Sequence, residues 1–249
     1  MVGVVLIVFL LGLAIGSFAT AVAHRVPRGI SIAASRSQCP ACGAQIAAYD
    51  NVPLFSWLAL RGRARCCGAR ISASYPLTEL AVGVLFVATA LVYRHDAAEA
   101  AIGLVFVTML AVVTLTDLEQ RIIPNKVLIV AVVLCLAIAV PTTDPGGLPE
   151  RLIAAAAAGG LFFLVALAYP KGMGLGDVKL AATMGLFLGR AVAPAILAAL
   201  LAGSLIGLAL IARHGAGARK MAIPFGPFLA LGGIVGLLAG DQLIDLYLG

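Results

Sequence analysis

The sequence predicts an all-α fold: a polytopic membrane bundle of about eight transmembrane helices, with a small cytoplasmic cysteine-containing domain between helices 1 and 2. Three observations predict it. The 249 residues are 62% hydrophobic and only 11% charged, with a mean hydropathy of +1.10; a soluble domain carries about 25% charged and 45–50% apolar residues. The apolar residues fall in continuous runs rather than in alternation, which excludes a closed barrel. Only one long stretch, residues 23–76, is polar. The bilayer must therefore solvate most of the chain.

The apolar runs lie near 3–22, 77–93, 98–116, 125–141, 151–169, 178–190, 192–212 and 222–240. The first lacks a basic n-region and is longer than a signal-peptide core, so it reads as a retained span. The sixth is short and opens on charged residues. Residues 23–76 are rich in Arg, Cys, Pro and Ser and form an extramembrane domain. The division expected is a first helix (1–22), a cytoplasmic cysteine domain (23–76) and a transmembrane core (77–249).

The net charge of +6 raises nucleic acid or anionic lipid as partners, but its distribution argues for membrane orientation and against nucleic acid. With residues 23–76 cytoplasmic, one face carries Arg25, Arg28, Arg36, Arg61, Arg63, Arg65, Arg70, Arg121, Lys126, Lys171, Lys179, Arg213, Arg219 and Lys220. The other carries only Arg94, Arg151 and Arg190 of the 17 Lys and Arg residues. Cytoplasmic loops are the ones enriched in Lys and Arg. Both termini then lie outside the cytoplasm. The connections near 117–124 and 170–178 lie on the cytoplasmic face, in contact with lipid headgroups.

Those two connections hold the unusual residues. Asp117 ends a strongly apolar run, in Thr116-Asp117-Leu118-Glu119-Gln120-Arg121-Ile122-Ile123-Pro124-Asn125. A carboxylate costs about 2.5–3.5 kcal/mol at mid-membrane and less near the interface; taken alone, Asp117 is equally an ordinary interfacial acid. Gly172-Met173-Gly174-Leu175-Gly176-Asp177 places three alternating glycines between two spans. Glycines there suit backbone that approaches something closely or takes positive φ, and irregular backbone at membrane depth must be buried or line a watery cavity. An extended peptide has room to add along it as a strand. The bland reading is a flexible hairpin. Two carboxylates sharing a low-dielectric site cannot both ionise. One then activates water while the other, protonated, polarises a carbonyl, which is peptide hydrolysis by the aspartic mechanism. His24, His95 and His214 are scattered, and Cys135 lies alone in an apolar run.

Four of the five cysteines fall between Cys39 and Cys67. Cys39-Pro40-Ala41-Cys42 followed by Cys66-Cys67 fits a zinc site that staples a domain too poor in apolar core to fold alone. A redox pair and reduced thiols are the alternatives. Adjacent side chains point apart in extended backbone, so Cys66 and Cys67 reach one ion only through a tight turn.

At these residues the chain resembles the bacterial type IV prepilin leader peptidase/N-methyltransferases, which carry a Gly-x-Gly-Asp active site. Gly16-Ser17-Phe18, Arg25-Val26-Pro27, the Cys39–Cys42 knuckle, Tyr49-Asp50-Asn51-Val52-Pro53, Ser56-Trp57-Leu58 and Tyr75-Pro76-Leu77-Thr78-Glu79-Leu80 carry the resemblance. Asp117 with Ile123-Pro124-Asn125, Gly172–Leu180 and Ile223-Pro224-Phe225-Gly226-Pro227-Phe228 complete it. The resemblance implies that Asp117 and Asp177 are catalytic, and that the substrate is a prepilin or pseudopilin with a basic leader and a hydrophobic N-terminal helix. It implies that no cofactor is required for proteolysis, and that S-adenosylmethionine supplies a methyl group to the new N-terminus. Gly174, Gly176 and Lys179 are expected to support the site, though Lys179 has a snorkelling reading as well. Glu79 and Gly83 are tied by the resemblance to methylation, against a plain capping or ion-pairing role for Glu79. The chain departs from the family at Ala64, where a third cysteine is expected, and at Thr20, where an Asn is. Cys39, Cys42, Cys66 and Cys67 are the metal ligands expected. A peptidase without methylation is the alternative. An ion-coupled transporter is the remote one, and the internal hydropathy repeats it calls for are not seen.

Overall fold

The computed structural model of the chain describes residues 2–31, 37–143, 146–170, 172–214 and 223–248. Arg36, Lys171, Arg219 and Lys220, used in the charge count above, lie outside the described residues. The described chain is helical, and isolated bridges stand where strands would otherwise be. All eight apolar runs become helices: α1 (Val2–Arg25), α3 (Ser74–Val92), α4 (Ala97–Gln120), α5 (Asn125–Thr142), α6 (Gly147–Ala168), α7 (Leu175–Leu188), α8 (Val192–His214) and α9 (Gly226–Leu248). A short α2 (Phe55–Ala59) lies in the polar domain. Among the described residues, seven helical runs are long and apolar enough to cross a membrane, with α7 and α8 forming one run of 40 residues through a 3-10 turn. The 14 residues of α7 reach only about 21 Å at 1.5 Å per residue. The chain is an integral membrane protein.

It divides into two compact units, Met1–Leu91 and Val92–Gly249. In the first, α1 and α3 meet through small residues. A β-carbon on Gly12 would lie 2.7 Å from the Cα of Gly83, and one on Gly16 2.7 Å from the Cα of Glu79. In the second, Gly232, Gly236 and Gly240 of α9 face Ala195 of α8 and Ala191 of the 3-10 turn before it. A β-carbon on Gly236 would sit 2.7 Å from that of Ala195. Lipid tails supply no hydrophobic drive between helices, so such small-residue seams gain close van der Waals contact instead. The α6–α7 pair repeats the device. A β-carbon on Gly185 would lie 2.5 Å from the Ala154 carbonyl oxygen. The seam of α4 is apolar, with Phe106, Val107, Met109, Leu110, Val112 and Val113 buried, and Phe106 stacks on Phe187 of α7 at 5.0 Å.

Helix ends are fixed locally. Asp96 caps α4 by accepting from the N–H groups of Ala98 and Glu99, both at 3.0 Å, which satisfies donors a helix start leaves free. At its other end Arg121 takes a left-handed conformation, φ 56°, and returns its N–H to the Asp117 carbonyl. That turn stops α4 at Gln120, three residues past Asp117.

Candidate active site

Asp117 sits in the last turn of α4 and is 6% exposed. Its Oδ2 accepts the backbone N–H of Gly226, the first residue of α9, at 2.8 Å. Beside it Thr116 is fully buried and returns its hydroxyl to the Val112 and Val113 carbonyls. The Arg121 guanidinium acts on the Asp117 carboxylate electrostatically.

Asp177 lies in the first turn of α7 and is half-buried. Gly174 is the extended residue before that helix, φ −79° and ψ 146°, and its carbonyl accepts the Asp177 N–H at 3.1 Å. Neither Gly174 nor Gly176 takes positive φ, and at Gly176 the glycine serves close approach. A β-carbon on Gly174 would come 3.5 Å from Asp177 Oδ2, and one on Gly176 3.2 Å from the Cβ of Ile123. Gly176 therefore lets the start of α7 press on the 121–124 connection that follows Asp117. Lys179 adds a second link there, donating from Nζ to Oδ1 of Asn125 at 3.1 Å. The two sequence motifs meet through these contacts, and the Asp117 carboxylate is near enough to act on that of Asp177. Gly176 is already helical, so only residues 172–174 remain for strand-like pairing with a peptide.

The far ends of the same two helices are also joined. Arg151 of α6 pairs with Glu99 at the start of α4 and donates to the Phe187 carbonyl at 2.5 Å and the Leu186 carbonyl at 3.3 Å. Arg151 thus caps the end of α7 and ties it to α4.

In the first unit the four cysteines converge. Their sulfurs all lie within 4.8 Å of one another, with Cys39–Cys67 at 3.7 Å, Cys42–Cys66 at 3.3 Å and Cys66–Cys67 at 3.9 Å. Two matching turns bring this about. The Gly43 N–H returns to the Cys39 carbonyl and the Cys39 N–H donates to Ala44; the Gly68 N–H returns to Ala64 and the Ala64 N–H donates to Ala69. Gly43 and Gly68 both take positive φ, 72° and 71°, which glycine does without steric cost. Ala64 occupies the turn position of Cys39, and Cys66 supplies the missing sulfur from inside the same turn. A tetrahedral zinc with sulfurs at about 2.3 Å separates them by about 3.8 Å, and the donor set fits. Backbone N–H groups of Ala41 and Cys42 pull the Cys39 thiol down to about 6. Its hydrogen bond with Cys42 pushes the Cys66 thiol up to about 12.

Two sequence profiles match the chain: the bacterial peptidase A24 N-terminal domain over residues 10–93, and the type IV leader peptidase family over residues 104–212. The relatives named prepilin leader peptidase/N-methyltransferase include three that cover almost the whole chain. That of Bacillus subtilis (strain 168) is 35% identical over 97% of both chains. That of Aeromonas hydrophila is 34% identical over 97% of this chain and 93% of its own. That of Stutzerimonas stutzeri is 33% identical over 98% of this chain and 93% of its own. The chain belongs to the type IV leader peptidase family. No solved structure matches it.

Within this family member, the A24 N-terminal match contains the four clustered cysteines, Glu79 and Gly83, and the leader peptidase match contains both aspartates. Glu79 is buried on α3, and its Oε2 accepts the Leu54 N–H at 2.7 Å. Leu54 has φ 61° and ψ −51°, and the Phe55 N–H reaches back to the Pro53 carbonyl at 2.6 Å. This is a γ-turn of the rare, strained hand, held by the Glu79 carboxylate. Gly83 receives the side chains of Phe9 and Leu13. Sequence reasoning assigned no role to Gly226 or to the Glu99–Arg151 pair. The Pro-Phe-Gly-Pro run was the one signal for the former.

Proposed function

We propose that the chain is a membrane aspartyl endopeptidase that removes the basic leader of type IV prepilins or pilin-like secretion proteins at the cytoplasmic membrane face. It then methylates the new N-terminus with S-adenosylmethionine. One observation carries the reading: Asp117 and Asp177 stand on helices α4 and α7 of one compact unit, joined where Gly176 packs on Ile123 and Lys179 donates to Asn125, and the Asp117 charge acts on Asp177. The names of the relatives support the substrate and the second activity.

Of two carboxyls sharing one proton, the ionised one takes a proton from water, and the oxygen attacks the scissile carbonyl carbon. The protonated one donates to the carbonyl oxygen as it gains charge. The tetrahedral intermediate collapses and the C–N bond breaks; the leaving nitrogen takes the proton first removed from water, and a hydroxyl of the intermediate returns its proton to the other carboxylate. A basic leader stays in the cytoplasm while the apolar helix that follows enters lipid. The scissile bond therefore lies at the interface, where the charge count places both aspartates. Gly176 and Lys179 hold the start of α7 against the motif that follows Asp117, and Gly174 opens that helix beside the Asp177 carboxylate.

Cys39, Cys42, Cys66 and Cys67 would hold a structural zinc, which fixes the two turns of the polar domain and supplies no chemistry to proteolysis. Glu79 and Gly83 serve methylation by shaping the region where α1, α3 and the Leu54 turn meet.

The test uses the full chain reconstituted in lipid vesicles with a prepilin bearing a basic leader, read by product mass. The expected product lacks the leader and, with S-adenosylmethionine present, gains one methyl group. An uncut prepilin contradicts the proposal.

A further inference from the structure

Gly226 lies 109 residues from Asp117 in the chain, yet its N–H is the donor that Asp117 Oδ2 accepts in a buried bond. It opens α9, whose first N–H groups have no partner within the helix, and the next residue, Pro227, has no N–H. The donor is held in place from several sides. Phe225 packs on Phe162 of α6 at 6.3 Å and on Phe228 at 6.2 Å. The Phe225 carbonyl accepts the N–H groups of Phe228 and Leu229 at 3.0 and 3.1 Å.

The residue here is glycine for reasons of space, since its φ is not among the positive values. A β-carbon would lie 2.6 Å from Asp117 Oδ2, 3.1 Å from Cγ and 3.2 Å from Cβ. The group in its way is the end of a side chain, which can turn aside. The backbone therefore survives the substitution, and the Asp117 carboxylate gives way. Gly232 on the same helix is the opposite case. A β-carbon there meets the backbone carbonyl of Ala195, which cannot turn aside.

We infer that Gly226 is a positioning residue for proteolysis: its N–H fixes the rotamer of Asp117, and its missing side chain leaves the carboxylate free to meet Asp177 and water. This rests on the reading of Asp117 as catalytic. Misplacing a reacting group by about 1 Å costs on the order of 10²-fold in rate.

The experiment compares Gly226→Ala, Gly232→Ala and Asp117→Asn in the full chain, as monodisperse protein in vesicles, with kcat and KM per folded molecule and a thermal midpoint for each. Gly226→Ala is expected to lose about 10²-fold in kcat with KM and thermal midpoint near those of the parent. Gly232→Ala is expected to lose thermal midpoint and keep kcat per folded molecule. An inactive Asp117→Asn beside a Gly226→Ala of parental kcat overturns the inference alone. An active Asp117→Asn overturns the reading beneath it. If Gly226→Ala yields no folded protein, Phe225→Ala decides. It loosens the donor without adding an atom at 226, and should lower kcat about tenfold at unchanged KM; parental kcat there overturns the inference.

Discussion

Residues 37–91 and the bundle from Val92 onward hold their polar groups in different ways. In the polar domain the fixing devices are short in sequence: two glycine-closed turns that gather four sulfurs, a γ-turn at Leu54, and the bidentate Arg65–Asp50 pair. Before α3 begins, little of this segment's side-chain surface is buried apolar core; Cys39 is the buried apolar residue among the described residues 37–73. In the bundle the devices span the chain. Gly226 meets Asp117, Arg151 meets Glu99 and Phe187, and glycines admit whole helices. A stapled domain depends on its staple, whereas a packed bundle depends on the absence of atoms at a few positions.

The largest expected effect breaks the staple. Cys39→Ser should remove bound zinc, from about one per chain to near none by metal analysis. Structural zinc is worth roughly 10–16 kcal/mol of apparent binding energy in small domains. Protease should then cut within residues 37–71 while fragments of the later helices persist. Full metal retention would show that the sulfurs do not form the site.

Gly185→Ala attacks the other strategy. Its β-carbon would meet the Ala154 carbonyl at 2.5 Å, and overpacking of this kind costs about 1–3 kcal/mol. Thermal unfolding of the bundle should come earlier while zinc content stays unchanged.

How much of this was legible in the sequence follows the same division. Composition and charge alternation gave the helices, because lipid demands long apolar runs with satisfied backbone. Asp117 stood out because a carboxylate at the end of such a run is costly, and Asp177 because three alternating glycines precede it. Cys66 in place of Ala64 looked awkward from spacing, and only the turn closed by Gly68 shows how its sulfur arrives. Glu99 and Arg151 carried no local signal, and Gly226 only the Pro-Phe-Gly-Pro run around it, since each acts on a residue 36 to 109 positions away. The positive φ of Leu54 was likewise invisible, because apolar β-carbons disfavour it everywhere.

A smaller effect separates the two activities. Glu79→Gln keeps the acceptor for the Leu54 N–H and loses its charge, worth about 1 kcal/mol. Methylation should slow several-fold with cleavage unchanged. Equal slowing of both would tie Glu79 to the whole fold instead.

The smallest is a pH effect. The Arg65 guanidinium holds the Asp50 carboxyl below the usual carboxylate range. A depressed carboxyl stabilises the fold above its unfolded value, near 3.9, and that contribution disappears as pH falls through the folded value. Below about pH 4 the thermal midpoint of the polar domain should therefore drop, and in Asp50→Asn this part of the drop should be absent.

The most direct test of the central claim is cleavage by Asp117→Asn and Asp177→Asn, each assayed on intact prepilin and on pre-cut pilin with S-adenosylmethionine. The account predicts that neither variant removes the leader and that both still methylate the pre-cut substrate. Leader removal at the parental rate by either variant would contradict it.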